Sequence, residues 1–307
     1  MSDLSLLKNS MTDIFRKTPG NVIAEDSALE GCGGLVLFEE PIFGFADADD
    51  ELFEEFRKPE IIGGPYMGPK EWLPSAKTVI SFFLPFTEAV RKSNYGNPAE
   101  TSNGWLHGRI EGQSFLEQYL KNLKAYFESC GIDVCAPYFD ERFRIQRNDP
   151  EDGDPRIQQG ASEDGASKSE DSCKQQTAPG YKDTGDIHFS CSWSERHTAF
   201  AAGLGTFSLT RGLITEKGVA GRFGSLIVSE KYEPTKRPYH EVEEYCIRCG
   251  ACIERCPAGA ITLEHGKNQI LCRQWVEDHT AKVYYPRYGC GKCQTNVPCE
   301  YMKPEKK

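Results

Sequence analysis

The sequence has no apolar run approaching the roughly 18 residues of a membrane span, so no bilayer-crossing helix is expected. Its start lacks a signal-peptide layout. MSDLSLLKNSMTDIFRK instead places Leu4, Leu7, Met11 and Phe15 on one face of an amphipathic helix. The two absences together give a cytoplasmic expectation with no membrane partner. Positive charge is scarce: 36 Lys and Arg stand against 46 Asp and Glu, a net charge of -10. That balance excludes a broad nucleic-acid footprint as the main design. No internal repeat occurs outside the cysteine clusters. The cysteine total is odd, at 13, and in a reducing compartment it points to metal or redox use rather than to a disulfide framework.

The chain has 307 residues, enough for one large domain or for a core with a small appendage. A hydrophobic share of 38% with 17 Phe, 13 Tyr and 4 Trp can build a proper core. Residues 31–38 (GCGGLVLF), 78–84 (TVISFFL) and 132–138 (IDVCAPY) read as strands. Residues 114–130 read as a helix, with Leu116, Tyr119, Leu120, Leu123 and Phe127 at helical spacing and Gly131 as its stop. Strand, helix and strand in succession predict an α/β (α+β) core. Residues 148–186 are polar, acidic and almost without apolar anchors, and are expected to form a surface insertion; a lid over a substrate is the other reading. Ser192 and Glu195 have capping-box spacing, so a helix is expected from Ser192 to Gly203. A glycine-rich stretch follows, and then a strand over 225–228.

The motif with the most chemical content is YCIRCGACIERCPAG. Cys246, Cys249, Cys252 and Cys256 followed by Pro257 make the bacterial ferredoxin run, C-x2-C-x2-C-x3-C-P. A tight turn points three thiolates at one iron–sulfur cube, and the fourth cysteine ligates the neighbouring cube in two-cluster proteins. The rule demands a second group, and Cys272, Cys290, Cys293 and Cys299 supply it. By that crossing, one [4Fe-4S] cluster takes Cys246, Cys249, Cys252 and Cys299, and the other takes Cys256, Cys272, Cys290 and Cys293. Structural zinc also uses four-cysteine sets with C-x2-C spacing, although a zinc ribbon has no need of the longer run. Cys32, Cys130, Cys135, Cys173 and Cys191 read as small buried or loop residues.

With SERHTAFAAGLGTFSL upstream of such a module, and EWLPSAKTVISFFLPF and the 116–130 helix before it, the chain resembles the epoxyqueuosine reductase and reductive dehalogenase superfamily over most of residues 35–300. The resemblance implies a nitroreductase-like cofactor-binding core over residues 1–237 and a ferredoxin-like two-cluster domain over 238–307. It also implies a cobalamin held base-off in the core, with electrons reaching it from an external ferredoxin or flavodoxin through the clusters. The reduced metal would then act on a small organic substrate, by deoxygenation or dehalogenation.

The absence of D-x-H-x-x-G, the signature of histidine-ligated cobalamin, is compatible with base-off binding. On this resemblance Gly203, Gly205, Gly212 and Gly221 are candidates to line the corrin, with Arg196, Arg222 and Ser225 near its polar edge; shaping of turns is the other reading of the glycines. Epoxyqueuosine reductases carry a proton-donating Asp in a V-D-T-A-P segment just before this helix. Here the matching place reads HFSCSW, with Phe189 or Ser190 at that Asp, so Asp186 and His188 become candidate donors by a register shift, and His197 is a further candidate. No helical-repeat extension follows the last cysteine, so tRNA is a disfavoured substrate. A corrinoid-reactivating or electron-transfer protein with no substrate chemistry of its own is the alternative, and a flavin in the core a less favoured cofactor.

Overall fold

The computed structural model describes residues 4–148 and 188–305. Its centre is a four-stranded antiparallel sheet made of β1 (Ile42–Asp47), β2 (Thr78–Pro85), β3 (Val134–Cys135) and, from much later in the chain, a strand over Gly221–Val228. That late strand is β8; between it and β3 come β4 (Ile145–Asn148), β5 (His188–Cys191), β6 (Gly205–Phe207) and β7 (Leu213–Thr215). The sheet order is β1-β2-β8-β3. Every residue of β2 is buried, because its two faces both meet apolar layers. Side chains alternate across a strand, so Ile80, Phe82 and Leu84 join one core while Val79 joins the other.

Helices cover both faces, which makes the core the mixed helix-and-sheet architecture expected. α1 (Leu4–Lys17) buries Leu7, Met11 and Phe15, as its spacing predicts. Two single-turn helices, α2 (Leu52–Glu55) and α3 (Pro69–Trp72), and α4 (Glu88–Ser93) lead to α5 (Asn103–Ser129). α5 and α1 pack on one face of the sheet, with Phe15, Phe115 and Tyr119 in mutual edge and stacked contacts. On the other face lies α6 (Glu195–Ala201), whose neighbours include Trp193, Phe56 and Phe207. No helix among the described residues is long and apolar enough to cross a membrane.

Four expectations are corrected. Residues 31–38 form turns with isolated bridges, Val22 to Val36 and Phe38 to Phe86, and the edge strand is β1 instead. The third strand shrinks to Val134–Cys135, since Pro137 opens a short helical turn. α6 starts after Ser194 rather than at Ser192, because the Ser192 hydroxyl is already bonded to the Arg144 amide at 2.8 Å. The helix expected over 114–130 starts earlier, at Asn103, and takes in the stretch GWLHGRIEG. Its glycines recur every fourth residue and let the helix approach its neighbours: a Cβ on Gly104, Gly108 or Gly112 would stand 2.6 Å from Ser93, 2.9 Å from Phe86 and 2.9 Å from Phe38. Tertiary packing thus overrides the low helix propensity of glycine. The acidic insertion falls on residues outside the described set, between β4 and β5, whose ends Asn148 and His188 pair with each other.

The C-terminal part adds α7 (Ala251–Glu254), the hairpin of β9 (Ile261–Thr262) and β10 (Gly266–Lys267), and α8 (Gln269–Val276). It is fastened to the core through polar contacts. Asn94 donates to the Cys290 carbonyl at 2.9 Å, Thr101 to the Gly289 carbonyl at 2.8 Å, and Val219 N to the Cys299 carbonyl at 2.9 Å.

Candidate functional site

The ferredoxin run folds as a tight turn leading into α7. Arg248 and Gly250 both take left-handed backbone, at φ 51° and 81°, which turns Cys246, Cys249 and Cys252 toward one hollow. Cys299 arrives from the chain's far end and lines the same hollow, next to Pro298. That hollow has about 360 Å³ of empty space, its open mouth included. Cys256 points elsewhere, its sulfur accepting the Ala260 amide at 3.3 Å, and lines a larger cleft with Cys272, Cys290 and Cys293. Cys272 rides on the first turn of α8, which Asn268 caps by accepting the Leu271 amide at 3.0 Å. Gly291, at φ 66°, lets the Cys290–Cys293 loop lie on the Trp105 ring, where a Cβ would come within 1.9 Å. The eight thiols therefore line two hollows, four in each. Among the described residues no three His, Cys, Asp or Glu side chains converge on a single-ion position. Each set of four surrounds a void instead.

Burial pushes the thiols of Cys252, Cys290 and Cys299 up to about 12, and neighbouring cysteines push in the same direction. In the metal-free chain they are protonated, so metal uptake must release protons. Cys249 is exposed and Cys252 buried, while Cys256, Cys272, Cys290 and Cys293 are all partly exposed; the protein packed around the Cys293 thiol raises it. Of the remaining cysteines, Cys32, Cys130 and Cys135 are free thiols, and Cys191 on β5 is disulfide-bonded.

The larger cleft runs between the core and the C-terminal part, with about 1270 Å³ of empty space up to and including its mouth. Trp105, Phe223 and Trp275 give it apolar walls. Arg109, Arg196, Arg222 and Lys267 give it cations, and Glu195 is the one carboxyl among its described lining residues. Protein surrounds the Arg196 guanidinium, although the cavity leaves part of it accessible to solvent. That enclosure brings its pKa down to about 10; Cys293 opposes the shift, and Arg109 and Arg222 reinforce it. Burial would lower Lys267, but Cys272 and Cys293 outweigh it and hold the ammonium above its ordinary value. Arg222 is pinned to α5, donating to the Gly108 carbonyl at 3.2 Å and to Gln113 Oε1 at 2.9 Å.

The candidates outside the cysteine set fare unevenly. Arg196, Gly212, Gly221 and Arg222 line the cleft. Gly203, Gly205 and Ser225 do not. Gly203, at φ 80°, ends α6 beside Thr235; Gly205 approaches the Ile214 carbonyl so closely that a Cβ would sit 1.9 Å away; Ser225 accepts the Trp193 indole N–H at 2.8 Å in the core. Even at Gly212 and Gly221 an added Cβ would strike protein, Val219 at 2.7 Å and the Leu84 carbonyl at 2.3 Å, so close backbone packing by itself calls for glycine there. His197 is fully buried, bonded through Nδ1 to Ser194 at 2.7 Å and wedged between Phe56 and Phe207, away from the cleft. Asp186 lies outside the described residues, as does the side chain of His188. Sequence reasoning missed Lys267 and Trp275, since an isolated lysine or tryptophan carries no spacing signal.

Residues 239–262 match the 4Fe-4S binding domain family. The chain carries an iron–sulfur module. No curated protein matches it. Among solved structures, similar ones include the Bacillus subtilis epoxyqueuosine reductase, at 17% identity over 99% of this chain and 70% of that one, with a TM-score of 0.48. The Streptococcus thermophilus epoxyqueuosine reductase is similar at 14% identity over 99% and 68% of the two chains, TM-score 0.47. The catabolic reductive dehalogenase NpRdhA, in complex with 3-bromo-4-hydroxybenzoic acid, is similar at 11% identity over 97% of this chain and 37% of that one, TM-score 0.47. Likenesses this loose leave activity and substrate to be argued from the residues of this chain.

Proposed function

We propose that the chain is an iron–sulfur oxidoreductase whose eight cysteines hold two [4Fe-4S] clusters, and whose cleft takes cobalamin and a small organic substrate to be reduced. The clusters supply one-electron transfer, and cobalamin a strongly reducing metal. The chain's own part is positional. The set containing exposed Cys249 lies where an external ferredoxin or flavodoxin can approach, and the set of Cys256, Cys272, Cys290 and Cys293 lines the cleft. Trp105, Phe223 and Trp275 offer apolar surface to a guest, while Arg109 and Arg196 offer charge to its carboxylate, amide or phosphate groups. The protein's net acidity weighs against tRNA as that guest.

The observation that carries this reading is the division of the cysteines: Cys256 leaves its own run to join Cys272, Cys290 and Cys293, and Cys299 takes its place. The test is anaerobic purification with cobalamin supplied, followed by iron, sulfide and corrin assay and a visible spectrum. The reading expects about eight irons per chain and a bound corrin. Zinc in place of iron overturns the cluster assignment. Extraction of a flavin with no corrin overturns the cobalamin assignment. Clusters and corrin without turnover of any of a panel of epoxides and organohalides would favour a corrinoid-reactivating protein, in keeping with Phe189 and Ser190 standing where a proton-donating Asp is expected.

A further inference from the structure

The two thiol sets differ in the charges around them. Among the described residues lining the hollow of Cys246, Cys249, Cys252 and Cys299, Arg248 alone is charged, and it is half exposed and paired with Glu243 at 2.9 Å. The cleft-side set of Cys256, Cys272, Cys290 and Cys293, the inner of the two, shares its lining with Lys267 and Arg196. Lys267 is only 8% exposed. It sits on β10, paired to Ile261, directly ahead of the Asn268 cap of α8, so hairpin and helix together fix its position. Its ammonium donates a hydrogen bond to Cys272 and faces Cys293. Arg196 faces Cys293 from α6, across the cleft. Among the described residues, the groups that act most on the Lys267 ammonium are Cys272, Cys293 and Arg196, and none of the three is a carboxylate. A buried ammonium without an anion costs several kcal/mol, so the arrangement makes sense around a group that is itself negative.

We propose that Lys267, with Arg196 opposite it, raises the reduction potential of the inner centre above that of the outer one, so that electrons entering near Cys249 run downhill toward the cleft. This rests on the two-cluster reading. In the step concerned a low-potential donor is oxidised and the thiolate-bound cube reduced by one electron; no bond to the chain forms or breaks, and no proton is required. The cube gains one negative charge, and a fixed cation roughly 8 Å away, at an effective dielectric near 20, favours that form by tenfold or more. Lys267 acts here as a positioning residue for charge; it touches a ligand sulfur and not a substrate.

The test is a potentiometric titration of the reconstituted full-length protein, followed by EPR, on wild type and on Lys267→Gln, Lys267→Arg and Arg196→Gln. Iron is counted first. If wild type holds about four irons, or zinc, the two-cluster reading itself has failed. With about eight irons present, Lys267→Gln should lower the inner midpoint by about tenfold in equilibrium constant, ~59 mV for one electron, while the outer midpoint in the same molecule stays put. Lys267→Arg should restore it. Should Lys267→Gln lose the inner centre, Arg196→Gln decides by the same criterion. Inner midpoints within about threefold of wild type in the decisive variant, or equal shifts at both centres, overturn the proposal.

Discussion

Replacing Arg91 by methionine tests how the core holds the iron–sulfur module. The Arg91 side chain is 8% exposed and its partner Glu300 only 2%, with Nε and Oε1 3.0 Å apart. Glu300 also accepts the Tyr95 hydroxyl at 2.9 Å and the Asn296 amide at 2.5 Å, and it follows Cys299 directly. Arg91 further donates to the Phe86 carbonyl and lies over the Tyr301 ring at 5.3 Å. Breaking a buried pair by removing one partner costs about 3–5 kcal/mol, because the other charge is left uncompensated. At a few degrees per kcal/mol for a chain of this size, Arg91→Met should lower the thermal midpoint by roughly 10 °C. Arg91→Met with Glu300→Leu should recover most of that, since apolar replacement of a whole buried pair is often near neutral. Because Cys299 and Glu300 share one turn, the single variant should also lose iron from the outer set faster in air. Thermal scans by circular dichroism under nitrogen give the midpoints, and absorbance bleaching gives the iron loss. A drop below about 2 °C, or a double variant worse than the single one, would refute the reasoning.

Three other perturbations follow from the packing. His197→Ala should cost about 2–3 kcal/mol by opening a hole between Phe56 and Phe207, yet leave cofactor loading and turnover per folded molecule unchanged, as measured by urea melts beside assays. Gly221→Ala would place a Cβ 2.3 Å from the Leu84 carbonyl and 2.4 Å from the Phe83 ring, so about 1–3 kcal/mol should be lost from the β2–β8 pairing, with slower-exchanging amides on both strands becoming faster. At pH 8, iodoacetamide should label exposed Cys130 about a hundredfold faster than Cys135, whose thiol is pushed up to about 11 by burial and by Asp140. The Cys135 rate should go on climbing with pH toward that value, and timed mass spectrometry reads both sites.

The two regions of the chain were not equally legible. Cysteine spacing encodes ligation directly, since a C-x2-C-x2-C-x3-C-P run has few conformations that bring three sulfurs together, and so Cys256 and Cys299 could be assigned to opposite sets before any fold was known. The β2 strand was legible because its apolar run is bounded by Pro74 and Pro85. Glycines misled in both directions. A glycine shows that something comes close, but not whether a ligand or a neighbouring strand does; Gly205 against Ile214 and Gly221 against Leu84 are strand contacts. In α5, Gly104, Gly108 and Gly112 weakened the helical pattern while making the helix packable. Lys267 acquires its meaning from Cys272, five residues on, and from Cys293, while Arg196 faces Cys293, a neighbour distant in sequence.

Crossed ligation is tested most directly by the thiols left reactive when Cys256→Ala is reconstituted anaerobically and alkylated without denaturation. The account predicts that Cys272, Cys290 and Cys293 become labelled, while Cys246, Cys249, Cys252 and Cys299 stay protected by the remaining cluster. Labelling of Cys246, Cys249 and Cys252 with protection of the other set would contradict it.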